Sequence, residues 1–458
     1  MTLSPSFRLG TLAAGLLLAV AATAQPVFDA PANGFKGRLT VRSQNPVAGG
    51  TAEIIGSDFV PGQQVELLRG RTVLTPAPLS VDANGQFKTR LDIPADAVPG
   101  QHPLLAQATA PAAAALAILR VSPTLALAGQ EKFSITSRKL VQGLYQSAYS
   151  AAANAVFVTS AVGRPPVSQS QLLKVDPETL EVLGAVTPAA VPGDQGGSVH
   201  AVYGVGVDDA NGTVWVTNSR QDTLAVYRQK DLSLVRQLDA GAVPHARDVV
   251  VDGRRGKAFA SATGGNRLAV FDARTFQALP PVTLESGVDD GEFVPMSLVL
   301  DAPSGKLFTV SMATPEAAVI DVASGKVDRI IALGNAANAS GVAYDAARGR
   351  LFVASQGSDN LLIVDVASAT VLHDVPVGAG ALNVAFDPVS ALAYVSNRGA
   401  GTVTVVDGEG RVVGNLAGGT YPNHVRADGT GRVFAVNKSK GADDPQGDRI
   451  MRIALRQR

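Results

Sequence analysis

Hydrophobic and polar positions along most of this chain follow one recurring phrase. A short apolar run ends in an acidic or small polar residue. A tight polar turn follows, then a second apolar run. The phrase reads "GLYQSAYSAAANAVFVTS" from Gly143, "VYGVGVDDANGTVWVTN" from Val202 and "ARDVVVDGRRGKAFASA" from Ala246. It returns as "PMSLVLDAPSGKLFTVS" from Pro295, "ASGVAYDAARGRLFVAS" from Ala339, "ALNVAFDPVSALAYVSN" from Ala381 and "PNHVRADGTGRVFAVN" from Pro422. Alternation at period two marks strands with one buried face, whereas the wholly apolar second runs mark strands covered on both faces. Gly, Asn and Asp at the turns accept the positive backbone angles that hairpins need.

The anchor residues ending the first run are Ser150, Asp208, Asp252, Asp301, Asp345, Asp387 and Asp428. After the first, longer interval their spacing settles near the length of one four-stranded propeller blade. Most copies continue with a third strand ending in Asp, such as "LLKVD" (Leu172–Asp176) or "LLIVD" (Leu361–Asp365), and a more polar fourth, such as "KVDRIIAL" (Lys326–Leu333). The expected fold class is all-β: a seven-bladed propeller over 132–458 preceded by a small immunoglobulin-like β-sandwich. The last copy lacks its fourth strand. "KFSITSRKL" (Lys132–Leu140) lies before the first copy without a hairpin partner and is expected to supply that strand, closing the ring and removing open edges.

The stretch 37–122 reads differently. Short alternating strands with Pro-Gly and Asn-Gly turns, and "GSDFVPGQQVEL" (Gly56–Leu67), resemble a bacterial immunoglobulin-like sandwich, without the cysteine pair of antibody domains. "ATAPAAAALAILRV" (Ala108–Val121) reads as a loop and a final strand, and "SPTLALAGQE" (Ser122–Glu131) as a linker.

The repeat resembles the YVTN-repeat propellers, named for a strand like "VWVTN" (Val214–Asn218), and within them the YncE-like branch. "GLYQSAYSAAANAVFVTS", "LLKVDPETLEV" (Leu172–Val182), "SNRGAGTVTVVD" and "DRIMRIAL" (Asp448–Leu455) carry the resemblance, over roughly Phe133 to Leu455. The resemblance implies the propeller fold and an associated single-stranded DNA-binding activity. It also covers Tyr145, Arg247 and Asn423.

Composition bounds the rest. Arg8, the apolar stretch Leu12–Ala21 and Ala22-Thr23-Ala24 form the three parts of a cleavable signal, so 1–24 is expected to be removed and the protein to be periplasmic or secreted, without membrane insertion. There is no cysteine, which excludes disulfides, Fe–S clusters and covalent haem. The 39 basic residues balance 39 acidic ones, so no global field draws in nucleic acid or membrane.

The five histidines, His102, His200, His245, His373 and His424, show no metal-binding spacing, and neither a metal nor a cofactor is expected. The candidate site comes from counting back along the inner strands. Five residues before each anchor stand Tyr145, Tyr203, Arg247, Met296, Ser340, Leu382 and Asn423. Four before stand Gln146, Gly204, Asp248, Ser297, Gly341, Asn383 and His424. One ring should face the channel mouth, so Tyr145, Gln146, Tyr203, Arg247, Asp248, Asn383, Asn423 and His424 are the expected ligand-binding residues. With no catalytic constellation, the favoured reading is a monomeric, non-enzymatic binding or scaffold protein with an envelope protein or small ligand as partner. Two alternatives stay open: single-stranded DNA binding, and a lactonase-type hydrolase using Arg247, Asp248 and His245. Basic clusters stand out only at turns, "GRRGK" (Gly253–Lys257), "RGR" (Arg348–Arg350) and "RQR" (Arg456–Arg458).

Overall fold

A computed structural model describes residues 32–43, 45–194 and 196–456. The expected signal segment lies outside them. The described residues form two compact units: one made of those up to Thr40 with Ile55–Thr89 and Leu104–Ala117, the other of Val41–Ile54, Arg90–Pro103 and the chain from Ile118 onward. No helix among them is long and apolar enough to cross a membrane.

In the first unit, Gln64–Leu68 pairs with Leu105–Thr109, from Gln64↔Thr109 to Leu68↔Leu105. Period two sets the burial: Val65, Leu67, Ala106 and Ala108 point inward. Phe59 meets Phe35 and Phe87 edge to face, with ring centroids 5.3 and 5.1 Å apart. The Ala-rich stretch ends in a strand, Ala113–Val121.

The second unit carries seven four-stranded antiparallel sheets, the blades. Their innermost strands are Leu144–Ser150, Val205–Asp208, Ala246–Asp252, Pro295–Asp301, Ala339–Asp345, Ala381–Asp387 and Pro422–Ala427. Each neighbours the next around the ring, and the first neighbours the last. The seventh blade is completed as expected. Phe133–Lys139 lies antiparallel to Arg449–Leu455, in unbroken register from Leu455↔Phe133 to Arg449↔Lys139. Phe133 enters the core between blades six and seven, its ring 6.3 Å from that of Tyr394. On the other side, Phe434, Val436 and Ile450 of blade seven pack with Leu144, Val156 and Leu173 of blade one.

The anchor aspartates explain why the phrase repeats. Asp208 Oδ1 accepts from the backbone N–H of Ala210 and Asn211, Asp252 Oδ1 from Arg254 and Arg255, and Asp345 Oδ1 from Ala347 and Arg348. Each carboxylate thereby closes the turn into the second strand. The aspartates ending third strands act alike: Asp176 accepts from Glu178 and Thr179, which hold its carboxyl below the usual range. The linker is pinned rather than free. Ala128 exchanges both backbone hydrogen bonds with Asn415 on the outer strand of blade six, and Asn415 Nδ2 donates to Leu125.

Candidate functional site

An antiparallel blade puts its turns on alternate rims. The anchor turns and the third-to-fourth turns share one rim. The connections between second and third strands share the other, together with the first residues of the innermost strands. Ion pairs concentrate on the anchor rim, although Lys257 and Arg329 there donate to backbone carbonyls and Arg120 pairs with Asp359 on the other rim. The anchor-rim pairs include Arg255 with Asp252 at 2.8 Å, Arg348 with Asp345 at 3.0 Å, Arg350 with Glu409 at 2.9 Å and Arg411 with Asp407 at 2.7 Å. The turn clusters "GRRGK" and "RGR" belong here.

The opposite rim carries Arg220, Arg247, Arg398, Lys438 and Lys440, and among the described residues none of these forms an ion pair. Arg220, Arg398, Lys438 and Lys440 are single cations that the sequence reading of basic clusters did not include; they follow the asparagines that end second strands, Asn218, Asn397 and Asn437. Two of those asparagines brace the connections. Asn397 Nδ2 donates to Thr402 and Thr404, and Asn437 Nδ2 to the carbonyl of Gly418 at 3.0 Å while its Oδ1 accepts from Arg449 N–H at 2.7 Å.

Tyrosines interleave these cations. The Tyr145 and Tyr203 rings meet edge to face at 4.5 Å. Lys438 Nζ stands 3.5 Å from the centre of the Tyr145 ring, and the Arg398 guanidinium 5.0 Å from that of Tyr421. Arg398 also donates to Asn423 Oδ1 at 2.5 Å, while Asn423 Nδ2 donates to the Tyr145 carbonyl at 2.7 Å. Burial, then the Arg398 and Arg247 charges, pull the Lys438 amine down to about 7, against an upward pull from Asp448. That carboxylate is held elsewhere, accepting from the N–H of Gly143 and Ser439. Burial and the neighbouring Tyr203 push the Tyr145 hydroxyl up. The remaining members of this ring, Met296, Ser340 and Leu382, are buried.

The ring one residue deeper has another task. The register of six innermost strands shifts here, as between Leu144 and Ser147 or Pro295 and Leu298. Such a bulge frees backbone N–H groups from the ladder. Side chains of the preceding blade capture them: Asp248 Oδ2 accepts from Leu298, Asn383 Oδ1 from Val425 and His424 Nδ1 from Ser147, at 2.9, 2.9 and 3.3 Å, and Gln146 Oε1 likewise takes the N–H of Val205 at 3.2 Å, on the strand whose register runs without a shift. Asp248 Oδ1 takes Val249 N–H as well. Where the ring has glycine the blades touch directly: a Cβ on Gly204 would lie 2.6 Å from the Arg247 carbonyl, and one on Gly341 2.6 Å from Asn383 Cα. Below lies a channel of about 220 Å³ lined by Ser147, Asp248, Asn383, His424 and Arg426.

Burial pushes the Asp248 carboxyl up and holds the His424 imidazole well below its ordinary value. With both oxygens of Asp248 on backbone N–H groups and His245 exposed at the loop before its strand, Arg247, Asp248 and His245 do not assemble a hydrolytic set. His200 bonds the Ala189 carbonyl at 3.0 Å. No cluster of three or more His, Cys, Asp or Glu suited to a metal occurs among the described residues.

Seven four-stranded sheets closed by a borrowed strand define the architecture, and the comparisons agree. No family model matches the chain. It is 25% identical over 336 residues to the uncharacterized protein YncE of Salmonella typhimurium, covering 69% of this chain and 90% of that protein. The YncE of Salmonella typhi matches over the same shares at 24%. The chain is a β-propeller similar to YncE. Among solved structures it resembles the hydrazine synthase of Kuenenia stuttgartiensis, with a TM-score of 0.54 at 16% identity, covering 64% of this chain and 92% of that one. It also resembles virginiamycin B lyase from Staphylococcus aureus, with a TM-score of 0.55 at 12% identity, covering 71% and 100%. At such identities these two speak to the fold alone.

Proposed function

We propose that this YncE-like propeller is an exported, monomeric, non-enzymatic binding protein that captures an anionic ligand at the rim bearing Tyr145, Tyr203, Arg247, Arg398, Asn423 and Lys438. The segment 37–122 is its accessory module, immunoglobulin-like by the alternation of buried residues and by its phenylalanine cluster. The observation that carries the reading is the contrast between rims. A chain with no net charge pairs Arg255, Arg348, Arg350 and Arg411 of one rim with acids and leaves Arg220, Arg247, Arg398, Lys438 and Lys440 of the other without an ion pair among the described residues, among rings that offer flat apolar faces. Unneutralised cations in a partly desolvated setting favour anions far more than the same charges in water.

Calorimetry of the full chain with small carboxylates and inorganic phosphate tests this. Arg398→Ala should weaken binding about ten-fold, the order expected for one lost charge-assisted hydrogen bond, while Arg348→Ala on the ion-paired rim should leave it unchanged. No binding, or equal loss in both variants, would refute it.

The same rim favours a second reading, single-stranded nucleic acid, because cations take phosphates while tyrosine faces stack bases. Titration with an oligonucleotide across a range of salt separates the two: affinity for a strand should fall steeply as salt rises, with a slope set by the phosphates contacted.

A further inference from the structure

Lys438 is the one amine in the tyrosine-lined part of the rim whose surroundings suit covalent chemistry. Its Nζ lies against the Tyr145 ring and makes no hydrogen bond or ion pair among the described residues. Asp448, the acid whose charge reaches it, has its Oδ1 on two backbone N–H groups and forms no ion pair with it. Beside it the Arg398 guanidinium is fixed by Asn423 Oδ1 and the Tyr421 face, which leaves its other N–H groups for a ligand. Lys438 as a residue is half-buried rather than enclosed.

We propose that Lys438 forms an imine with a small 2-oxo acid whose carboxylate is held by Arg398 and Arg247. This rests on the anion-binding reading above and names its ligand class. An amine next to other cations in a partly desolvated site stays neutral at lower pH, and a neutral amine is the nucleophile. The groups facing it are Arg398 and Arg247, which disfavour its charge, and Asp448 and the Tyr145 ring, which favour it. Burial and the guanidiniums prevail, so at neutral pH a substantial share of the amine is unprotonated.

The step balances without oxidant or reductant. The amine lone pair adds to the carbonyl carbon, a C–N bond forms, and the C=O π bond breaks. The proton lost by nitrogen goes to the oxygen through solvent. The carbinolamine hydroxyl then takes a second proton and leaves as water, and the nitrogen lone pair closes C=N. One water is released for each imine formed.

The experiment incubates the full chain with pyruvate and cyanoborohydride, which reduces only the iminium, and maps the adduct by peptide mass spectrometry. The expected result is one label, on Lys438, forming at least ten-fold faster than on any other lysine. It should be slowed about ten-fold in Arg398→Ala and by replacing pyruvate with propionaldehyde, which has no carboxylate. The rate should reach half its maximum at a pH near 7, not in the ordinary lysine range. Peptide mapping of the unmodified sequence gives the answer even should Lys438→Arg fold poorly. Label spread evenly over lysines, or equal trapping of propionaldehyde, overturns the proposal. Calorimetry with lactate, an anion lacking the carbonyl, separates the two levels. Lactate binding without pyruvate trapping sinks the imine and leaves the anion site, and failure of both sinks both.

Discussion

Lys438 Nζ sits 3.5 Å above the centre of the Tyr145 ring, joining the last blade to the first at the mouth of the ring. The contact holds a cation where burial and two guanidiniums oppose it. The amine's folded pKa of about 7 lies below the ordinary 10.5. Between those values the unfolded chain binds the extra proton, so stability must rise with pH across that window. Lys438→Met removes the titration. Urea denaturation at about pH 6.5 and about pH 9.5 should show the native chain gaining stability relative to Lys438→Met at the higher pH. Equal differences at both would show that the amine is ordinary.

Asp248 tests the reading of the deeper ring as a seam between blades. Asp248→Ala leaves Leu298 N–H buried without an acceptor, which costs about 1–3 kcal/mol. Asn383→Ala does the same to Val425 on the far side of the ring. The two losses should add, because the sites share no partner. Urea midpoints measure both. Anion affinity at the mouth should change little in either variant, and a large drop in affinity without loss of stability would reassign these residues to the ligand.

The blades were legible in the sequence because aspartate performs one local task in most of the seven copies, with Ser150 standing at that place in the first. An aspartate such as Asp252 or Asp345 closes its own turn through bonds spanning two or three residues, so its signal lies entirely within the repeat. The borrowed strand was legible by subtraction, since one copy lacked what Phe133–Lys139 could supply. The mouth was legible in half. Tyr145, Tyr203, Arg247 and Asn423 lie at a fixed offset from the anchors, but Arg398 and Lys438 lie beyond second strands, and only ring closure brings them beside Tyr145. The capping role of Gln146, Asp248, Asn383 and His424 was hidden for another reason. The bulge in the strands that carry them breaks the period-two rule by which facing is read. The one available sign was the run of short polar residues, each able to accept a hydrogen bond, at a position where a strand core would carry apolar ones.

Phe133 tests the closure. Its ring fills the core between blades six and seven while its strand completes the seventh. Phe133→Ala should cost about 3–5 kcal/mol, the usual range for removing a buried aromatic side chain. Ile135 is more exposed on the same strand, and Ile135→Ala should cost much less. Comparable losses in the two, measured by thermal or urea unfolding, would mean that the strand adds hydrogen bonds and no packing.

His424 gives the seam a pH limit. Its Nδ1 accepts from Ser147 N–H, so the ring must be neutral with the proton on Nε2. Burial, then the Arg426 and Arg247 charges, hold its folded pKa well below 6.5. As pH falls through 6.5 the unfolded chain takes a proton that the folded chain refuses, and stability drops until the folded pKa is reached. Blade six fills the same position with Asn383, whose oxygen accepts from the neighbouring blade without titrating. His424→Asn should therefore preserve the link to Ser147 while flattening the loss of stability between about pH 6.5 and about pH 4.5. Denaturation curves of the two chains across that range decide it. Parallel slopes would place the acid sensitivity in another group.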